Sequence, residues 1–392
     1  MSGWRTARLE EVAEVLGGGT PSRQESSFFG GAIPWATPTD ITKLEGLYID
    51  RTKETITDEG LRNSSTKLIP AGAVLLTSRA TIGFTAVSRV PICTNQGFVN
   101  FVCGPDLVPE FLAFWLRTQK PKLIQHAGGT TFKEIARGTV RKFEISFPPL
   151  AEQHRIVDLL SRAEGIVRLR REAQKKAAEL IPALFLEMFG DPATNPKGWP
   201  VRRVSDFVAR FVGGKNLQAG SENPSGFRIL KVSAATSGIY RESESKPTPD
   251  NYTPPKNHLV CKGDLLFSRA NTEELVGATA IVEESNGKTL LPDKLWRFVW
   301  SEPVEPLYIH ALFQNAHIRQ ELGKLSSGTS ASMRNISQAK LFAMTLAVAP
   351  IENQRVFAES VRSIRSIQMQ QAAATQKAKA AFNALLSSVF QG

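Results

Sequence analysis

Pro149-Leu150-Ala151-Glu152-Gln153 and Pro350-Ile351-Glu352-Asn353-Gln354 are the two short segments on which the reading of this chain turns. Each opens a run poor in glycine, with apolar residues at helical spacing. From Ala151 to about Phe189 the one glycine is Gly165. Ile156, Leu160, Ala163, Val167, Ala177, Ile181, Leu184 and Met188 recur there at steps of three and four, interrupted by polar Arg170 and Gln174. From Glu352 to Phe390 the corresponding stripe is Ser360, Ile364, Ile367, Gln371, Ala374, Ala378, Ala381 and Leu385. This heptad-like spacing predicts two long helices. Pro149 and Pro350 stand where helices start, and Pro182 is expected to kink or restart the first one. Both helices are polar or alanine-rich in the middle, at Ala173, Ala177 and Ala178 and at Ala372, Ala373, Ala374, Ala378, Ala380 and Ala381. Small side chains let two axes approach closely, so antiparallel pairing of the two helices is the economical arrangement. Two independent amphipathic helices, each packed on its own domain, are the alternative.

Working outward, the rest of the chain repeats as well. Gly3-Trp4 begins a stretch ending in Gly18-Gly19, and Gly198-Trp199 begins one ending in Gly213-Gly214, half a chain later. Leu9 and Val12 answer Val204 and Phe207. Leu75-Leu76-Thr77-Ser78-Arg79-Ala80 answers Leu265-Leu266-Phe267-Ser268-Arg269-Ala270, Ile82 to Val87 answers Val276 to Ile281, and Gly129-Thr130 answers Gly328-Thr329. The order is the same in both halves. In the first half, Val74 to Leu76, Phe98 to Val102 and Phe143 to Phe147 read as strands, and Phe111 to Arg117 as a short helix after Pro109. The expected fold is therefore α+β, a pseudo-two-fold repeat of two homologous domains joined by two long antiparallel, coiled-coil-like helices.

Composition narrows the function. The 392 residues suggest two to three domains at about 150 residues each. Hydrophobic residues at 42% and charged residues at 22% are ordinary for a globular chain. Lys and Arg number 48 against 37 Asp and Glu, a net charge of +11 that suits a polyanionic partner. No run is long and apolar enough for a membrane span, and the N-terminal Met1 to Glu11 is charged, without a secretory core. Cys93, Cys103 and Cys261 form no CxxC pair and read as buried thiols in a reducing cytoplasm. Phosphate-loop, zinc-protease, serine-hydrolase and dinucleotide motifs are missing. So is the amino-methyltransferase signature, since Asn195-Pro196-Lys197-Gly198 is a turn. His126, His154, His258, His310 and His317 lack ligand-like spacing and read as surface or satisfied histidines. Neither a metal nor a cofactor is expected, and no catalytic constellation stands out.

What the chain does carry is donor-rich loops beside strands. Thr20, Ser22 and Arg23 lie in one, and Trp35, Thr37 and Thr39 in another. Ser78, Arg79 and Thr81 follow a strand directly, as do Ser268, Arg269 and Asn271. Thr130, Thr131 and Lys133 form a later loop matched by Ser327, Thr329 and Ser330, and Lys215 follows the second Gly-Gly mark. Arginine pairs bidentately with guanine, asparagine with adenine, and hydroxyls suit phosphates or base edges. These are the candidate DNA-binding residues. Each loop taken alone also fits a solvated turn, and Arg79 and Arg269 also fit a structural role closing a turn through carbonyl hydrogen bonds.

Taken together, the chain resembles the specificity subunits of type I restriction–modification systems. The residues that carry the resemblance are the Gly-Trp to Gly-Gly segments, Ile33 to Ile41 (IPWATPTDI), LLTSRATIG and LLFSRAN, Pro148 to Val157 (PPLAEQHRIV), Ala349 to Phe357 (APIENQRVF) and Leu184 to Pro192 (LFLEMFGDP). The second half departs from the pattern, with ILKVSAATSGI in place of the Trp-to-Asp-Ile element. The resemblance implies target-recognition domains at 1–150 and 191–350 and conserved helices at 151–190 and 351–392. It implies no catalysis and no cofactor. The implied partners are double-stranded DNA, two modification subunits that methylate adenine with S-adenosylmethionine, and ATP-dependent restriction subunits. Each domain would read half of a split target. Ile156, Leu160, Val167, Ala177, Ile181 and Leu184 would pair with Ile364, Ile367, Ala374, Ala378, Ala381 and Leu385 and dock the modification subunits. A helix of about 35 residues is ~50 Å long, enough for one to two turns of duplex at ~34 Å each. The rival readings are a helical scaffold without DNA readout and a stand-alone DNA-modifying enzyme.

Overall fold

The computed structural model describes residues 3–129, 133–220, 226–249, 252–330 and 333–390, the side chains of Thr329 and Ser330 excepted. The chain forms two compact units. Unit 1 takes residues up to 174 together with those from 371, and unit 2 takes residues 175–370.

In unit 1 the central sheet runs Ala13–Gly17, Phe98–Cys103, Val74–Thr77, Thr85–Ser88 and Tyr48–Ile49, antiparallel except for the last pair. Its inner strands Val74–Thr77 and Thr85–Ser88 are buried throughout because both faces are covered. Successive side chains point to opposite faces. Val74 and Leu76 therefore join Val99, Phe101, Leu112 and Phe114 in one core, while Leu75 joins Ile41, Ala86 and Phe98 in another. A smaller sheet of Glu54–Ile56, Phe29–Ala36 and Cys93–Thr94 borders the second core. The helix Pro109–Thr118 has proline at its first turn and buries Phe111 through Leu116. Arg5–Arg8 pairs with Glu144–Phe147 and closes the unit.

Unit 2 is built on the same plan. Its central sheet runs Val208–Gly213, Leu295–Trp300, Leu265–Ser268 and Thr279–Ile281, and its smaller sheet Ser245–Pro247, Arg228–Leu230 and Thr289–Leu290. Pro306–Gln314 takes the place of Pro109–Thr118, and Val201–Arg203 pairs with Thr345–Ala347. The expected α+β repeat with two long helices is what the chain adopts.

The long helices are Leu150–Phe189 and Ile351–Phe390. In unit 1, Ile156, Leu160 and Val167 of the first are buried, and Phe382, Leu385, Leu386, Val389 and Phe390 of the second pack on the same domain core. The Phe390 ring lies 5.1 Å from Phe111. In unit 2, Phe185 and Phe189 of the first helix meet Phe357, Ala358 and Val361 of the second, with Phe185 to Phe357 at 5.7 Å. The Gln368 amide also donates to the Ala177 carbonyl at 2.6 Å. In each unit an early part of one helix meets a late part of the other, so the pairing is antiparallel.

Two details differ from expectation. The first helix runs without interruption through Pro182. Both Pro182 and Ala178 are exposed, so the carbonyl that loses its donor has water available. In the second helix the inward stripe is Phe357, Val361, Ile364, Gln368, Gln371, Thr375, Ala378, Phe382 and Leu385, all buried or half-buried. Ile367 is 53% exposed and Ala381 is exposed. The large side chains Phe357, Val361, Phe382 and Leu386 set the rotation of the helix, and the register read from Ser360 is displaced from theirs.

The repeated Gln of the opening segments has a mechanical role. Gln153, fully buried, accepts from the Val108 N–H (2.8 Å) and donates to the carbonyls of Asp106 (2.8 Å) and Pro148 (2.9 Å). Gln354 accepts from the Glu305 N–H (3.1 Å) and donates to the Ala349 carbonyl (2.8 Å). Each glutamine ties the start of a long helix to the loop before the short buried helix of its unit. No helix among the described residues is long and apolar enough to cross a membrane.

Candidate nucleic-acid interface

In unit 1 the strand Val74–Thr77 runs out into Ser78-Arg79-Ala80-Thr81. Three hydrogen bonds fix this exit. The Ser78 N–H donates to Gly97 (2.8 Å), the Ile135 N–H to Ser78 (2.9 Å) and the Ala80 N–H to Lys133 (3.0 Å). Gly128 and Glu134 exchange both backbone bonds, at 3.0 and 2.9 Å, so a hairpin lies beside the strand exit. Ala80 sits at φ 60°, a left-handed conformation that costs a non-glycine residue roughly 1–2 kcal/mol. Arg79 Nε is 3.6 Å from the Glu134 carboxylate, with the two side chains 44% and 47% exposed. The Thr20 hydroxyl donates to the Gln96 side chain. Gly18 and Gly19 are required by close packing, since a Cβ would strike the Asn95 carbonyl in one case and Ser65 in the other. At Gly17 a side chain would meet the Arg137 guanidinium at 3.3 Å.

Unit 2 brings together the same parts. Leu265–Ser268 runs into Ala270–Asn271, which pairs with Met333–Asn335, itself paired with Ser327–Ser330. The Arg269 N–H donates to Lys294 (3.1 Å) and the Ile336 N–H to Arg269 (2.9 Å). Arg334 donates to the Gly328 carbonyl (3.1 Å) and lies 3.4 Å from Glu273. Lys215 is exposed beside Gly214. Burial, and then the charges of Lys215 and Arg297, hold the His258 pKa below its usual value.

The hydrogen bonds correct the apparent match of the two Ser-Arg-Ala strings. Thr77 donates to Phe84 and accepts from Gly83, whereas in unit 2 it is Ser268 that donates to Ala278 and accepts from Gly277. Parity agrees: Leu76 and Phe267 face the helix-bearing core, and Leu75 and Leu266 the other. The strands are therefore equivalent one residue away from the sequence match. A one-residue slip turns every side chain to the opposite face. The counterpart of Arg79 is Ala270, and that of Arg269 is the buried Ser78.

Several expected DNA contacts lie inside the protein. Trp35 is 1% exposed, and its indole N–H donates to the Gly19 carbonyl at 3.0 Å. Ser78 and Ser268 are buried as well, because their strand exits are covered by the hairpins. Arg269 donates from Nε to the Asp293 carbonyl (2.9 Å) and lies over the Trp296 ring, so it ties a turn. Arg23 is committed to Glu54 at 2.5 Å and to the Phe29 ring. Thr37 caps the helix Pro38–Thr42 through Asp40 (2.7 Å). Ser22, Thr39, Thr81, Lys133 and Ser327 are exposed, and Thr20 and Asn271 half-buried. Thr329 and Ser330 lie on the strand Ser327–Ser330, while Thr130 and Thr131 fall outside the described residues. The reading from sequence missed Gln96, Glu134, Arg137, Lys294 and Arg334. Gln96 and Lys294 arrive through the sheet, on loops with no shared residues. Arg334 was within reach, since it follows the hairpin signal Ser327 to Ser330 just as Lys133 follows Gly128-Gly129.

Among the described residues no group of three His, Cys, Asp or Glu side chains could hold a metal ion. Burial pushes the Cys93 thiol up to about 11 and Cys103 to about 12, whereas Cys261 is exposed and departs from the expected burial. His310 is a satisfied core residue, hydrogen-bonded to Thr279 at 2.9 Å.

Residues 1–179 match the family model of the type I restriction modification DNA specificity domain. Over these residues the chain is similar to that family. It is 33% identical over 242 residues to the MjaIX specificity subunit of Methanocaldococcus jannaschii, covering 56% of this chain and 54% of that one. Against the EcoR124I/EcoR124II specificity subunit of Escherichia coli it is 28% identical over 184 residues, 45% and 44% of the two chains. The chain thus spans about half the length of these relatives. The EcoKI specificity subunit of Escherichia coli K12 aligns over 93% of this chain and 82% of its own length at 23% identity. In fold, the chain resembles one from a type I R-M system solved for its complex assembly and conformational transition (TM-score 0.63, 20% identity, 100% and 98% covered). It also resembles the type I S subunit from M. genitalium (TM-score 0.52, 13% identity, 99% and 96% covered). Within the family domain the match ends at residue 179; beyond it, unit 2 repeats the strand and helix plan of unit 1.

Proposed function

We propose that the chain is the DNA-binding specificity subunit of a type I restriction–modification complex. The segments 1–150 and 191–350 each read one half of a split target. The helical segments 151–190 and 351–392 set the spacer and dock two modification subunits, and restriction subunits join that assembly. The subunit works in the cytoplasm, on double-stranded DNA, and contributes recognition while its partners supply the chemistry. One observation carries the reading: the same rim, a strand exit laid against a hairpin, is built twice from largely different residues. Each rim holds exposed or half-exposed cations, Arg79, Lys133 and Arg137 in unit 1 and Lys215, Lys294 and Arg334 in unit 2. On a chain of net charge +11 these suit phosphate neutralisation, while the hairpin side chains suit base edges. Leu159, Ile166, Leu169, Leu180, Val356, Ile367 and Met369 of the long helices are exposed, and they support docking of partners along the helices.

The test is to co-express the chain with its modification subunits and to sequence methylated adenines. A split motif is expected. Exchanging residues 3–149 for the same segment of a relative should alter one half of it. No methylation pattern, or a change in both halves, overturns the reading.

A further inference from the structure

We infer that Arg79 reads a guanine in one half-site, that Glu134 is the positioning residue that aims it, and that unit 2 has no counterpart of this pair. The inference rests on the proposed DNA recognition and goes further, by assigning a base and a device. Arg79 has a fixed stem: the backbone on either side is bonded to Gly97, Lys133 and Ile135, and Ala80 is held left-handed. Its guanidinium is turned to the hairpin, with Nε 3.6 Å from Glu134. Among the described residues nothing accepts from its two Nη groups, so the fork that matches guanine O6 and N7 is unspent. The other two arginines read from the sequence as DNA contacts are used differently. Arg269 is bound to a carbonyl and a ring, and Arg23 to a carboxylate.

Glu134 is the telling group. A half-exposed carboxylate on a rim that faces phosphates repels them, so it lowers non-specific affinity. It is bonded through its backbone to Gly128, and its partner across the bridge is Arg79. Held by Glu134, Arg79 is kept from the nearest phosphate and left pointing outward. At the equivalent place unit 2 pairs Ala270 with Asn335, which offers neither the fork nor the carboxylate.

The full chain is used to select duplexes from a random library, and each guanine of the selected motif is replaced in turn by 7-deazaguanine, which lacks N7. The wild-type protein should lose about tenfold in affinity at one such guanine, and Arg79→Ala should be indifferent to that replacement. Arg79→Met keeps the length of the stem and has no donor; it should show the same indifference with an unchanged salt slope, and it serves if the alanine variant does not fold. Glu134→Gln should bind the motif more weakly yet bind random-sequence duplex more tightly, with a salt slope steeper by about 0.9 as Arg79 turns to a phosphate. Glu134→Asp should restore much of the discrimination. Arg269→Ala should lower the melting temperature and leave the response to 7-deazaguanine unaltered. A motif without guanine, or an Arg79→Ala protein still sensitive at every guanine, overturns the assignment. Equal weakening of both duplexes by Glu134→Gln overturns the positioning role. Failure to select any motif strikes instead at the proposed function.

Discussion

Both units pass the same hydrogen-bond pattern through the exit of their central strand, and each places an arginine there, but on opposite faces. In unit 1 Arg79 turns to the hairpin and stays half-exposed. In unit 2 Arg269 turns under the sheet, bonds to Asp293 and lies over Trp296. The identical letters Ser-Arg-Ala conceal a slip of one residue, and in a strand one residue decides between solvent and core. Two copies of a fold can thus keep their backbone and exchange which residue type is displayed.

The comparison extends to how each unit grips the helices, and that can be broken by mutation. Unit 2 is held by aromatic rings: Phe185 is 3% exposed and packs on Phe189, Tyr308 and Phe357. Its counterpart in unit 1 is Leu386, 9% exposed. Phe185→Ala is expected to cost about 3–5 kcal/mol, and Leu386→Ala about 2–3 kcal/mol at the low end of its class. Denaturant titration of the two variants checks the order, and equal losses would mean that the rings add nothing beyond a leucine.

The glutamine latches come next. Gln153 makes three hydrogen bonds where Gln354 makes two. Gln153→Ala leaves a buried N–H and two carbonyls unmet, for a loss of about 2–3 kcal/mol, and Gln354→Ala about 1–2 kcal/mol. Midpoint shifts in urea at constant slope give the comparison. The reverse order would show that the Val108 amide finds another partner.

Over the mildly acid range, the smallest expected effect is one of pH. His310 is buried, and burial, then the charge of Arg365, lowers its pKa to about 3. Unit 1 has Ala113 at the corresponding position of its short helix. Below its unfolded pKa of about 6.5, the unfolded chain binds a proton at this site that the folded one does not. Stability contributed at this site is therefore full above about pH 6.5 and falls as pH drops towards 3. Melting curves at neutral and mildly acid pH should converge in His310→Gln relative to wild type. An unchanged acid sensitivity would place its origin elsewhere.

The helices and the repeat were legible because apolar spacing and a leading proline are local signals that tertiary structure seldom overrides. The strands around Val74 and Phe98 were legible for the same reason. The rotation of the second helix was not, since Ile364 and Leu385 lie close to either stripe and only Phe357 and Phe382, packed against their units, decide between them. The rim was half legible. Its hairpins and strand exits were marked by Gly, Ser and Thr, but Trp35, Ser78 and Ser268 read as donors and are buried. Which face a polar residue takes follows from sheet register, and register is a property of paired strands. Glu134 and Lys294 became visible only when pairing set them beside Arg79 and Arg269.

Unit 1 takes its last helical turns from residues 371 onward, so it is discontinuous along the chain. During synthesis Phe111 and Trp4 must wait for Phe390 while the whole of unit 2 is made, roughly 10–40 s at about 5–20 residues per second. Unit 2 is contiguous and has no such delay. The nascent first half leaves the ribosome with an apolar seat unfilled, a natural place for a chaperone to hold, and its folding is completed by a segment made only after unit 2.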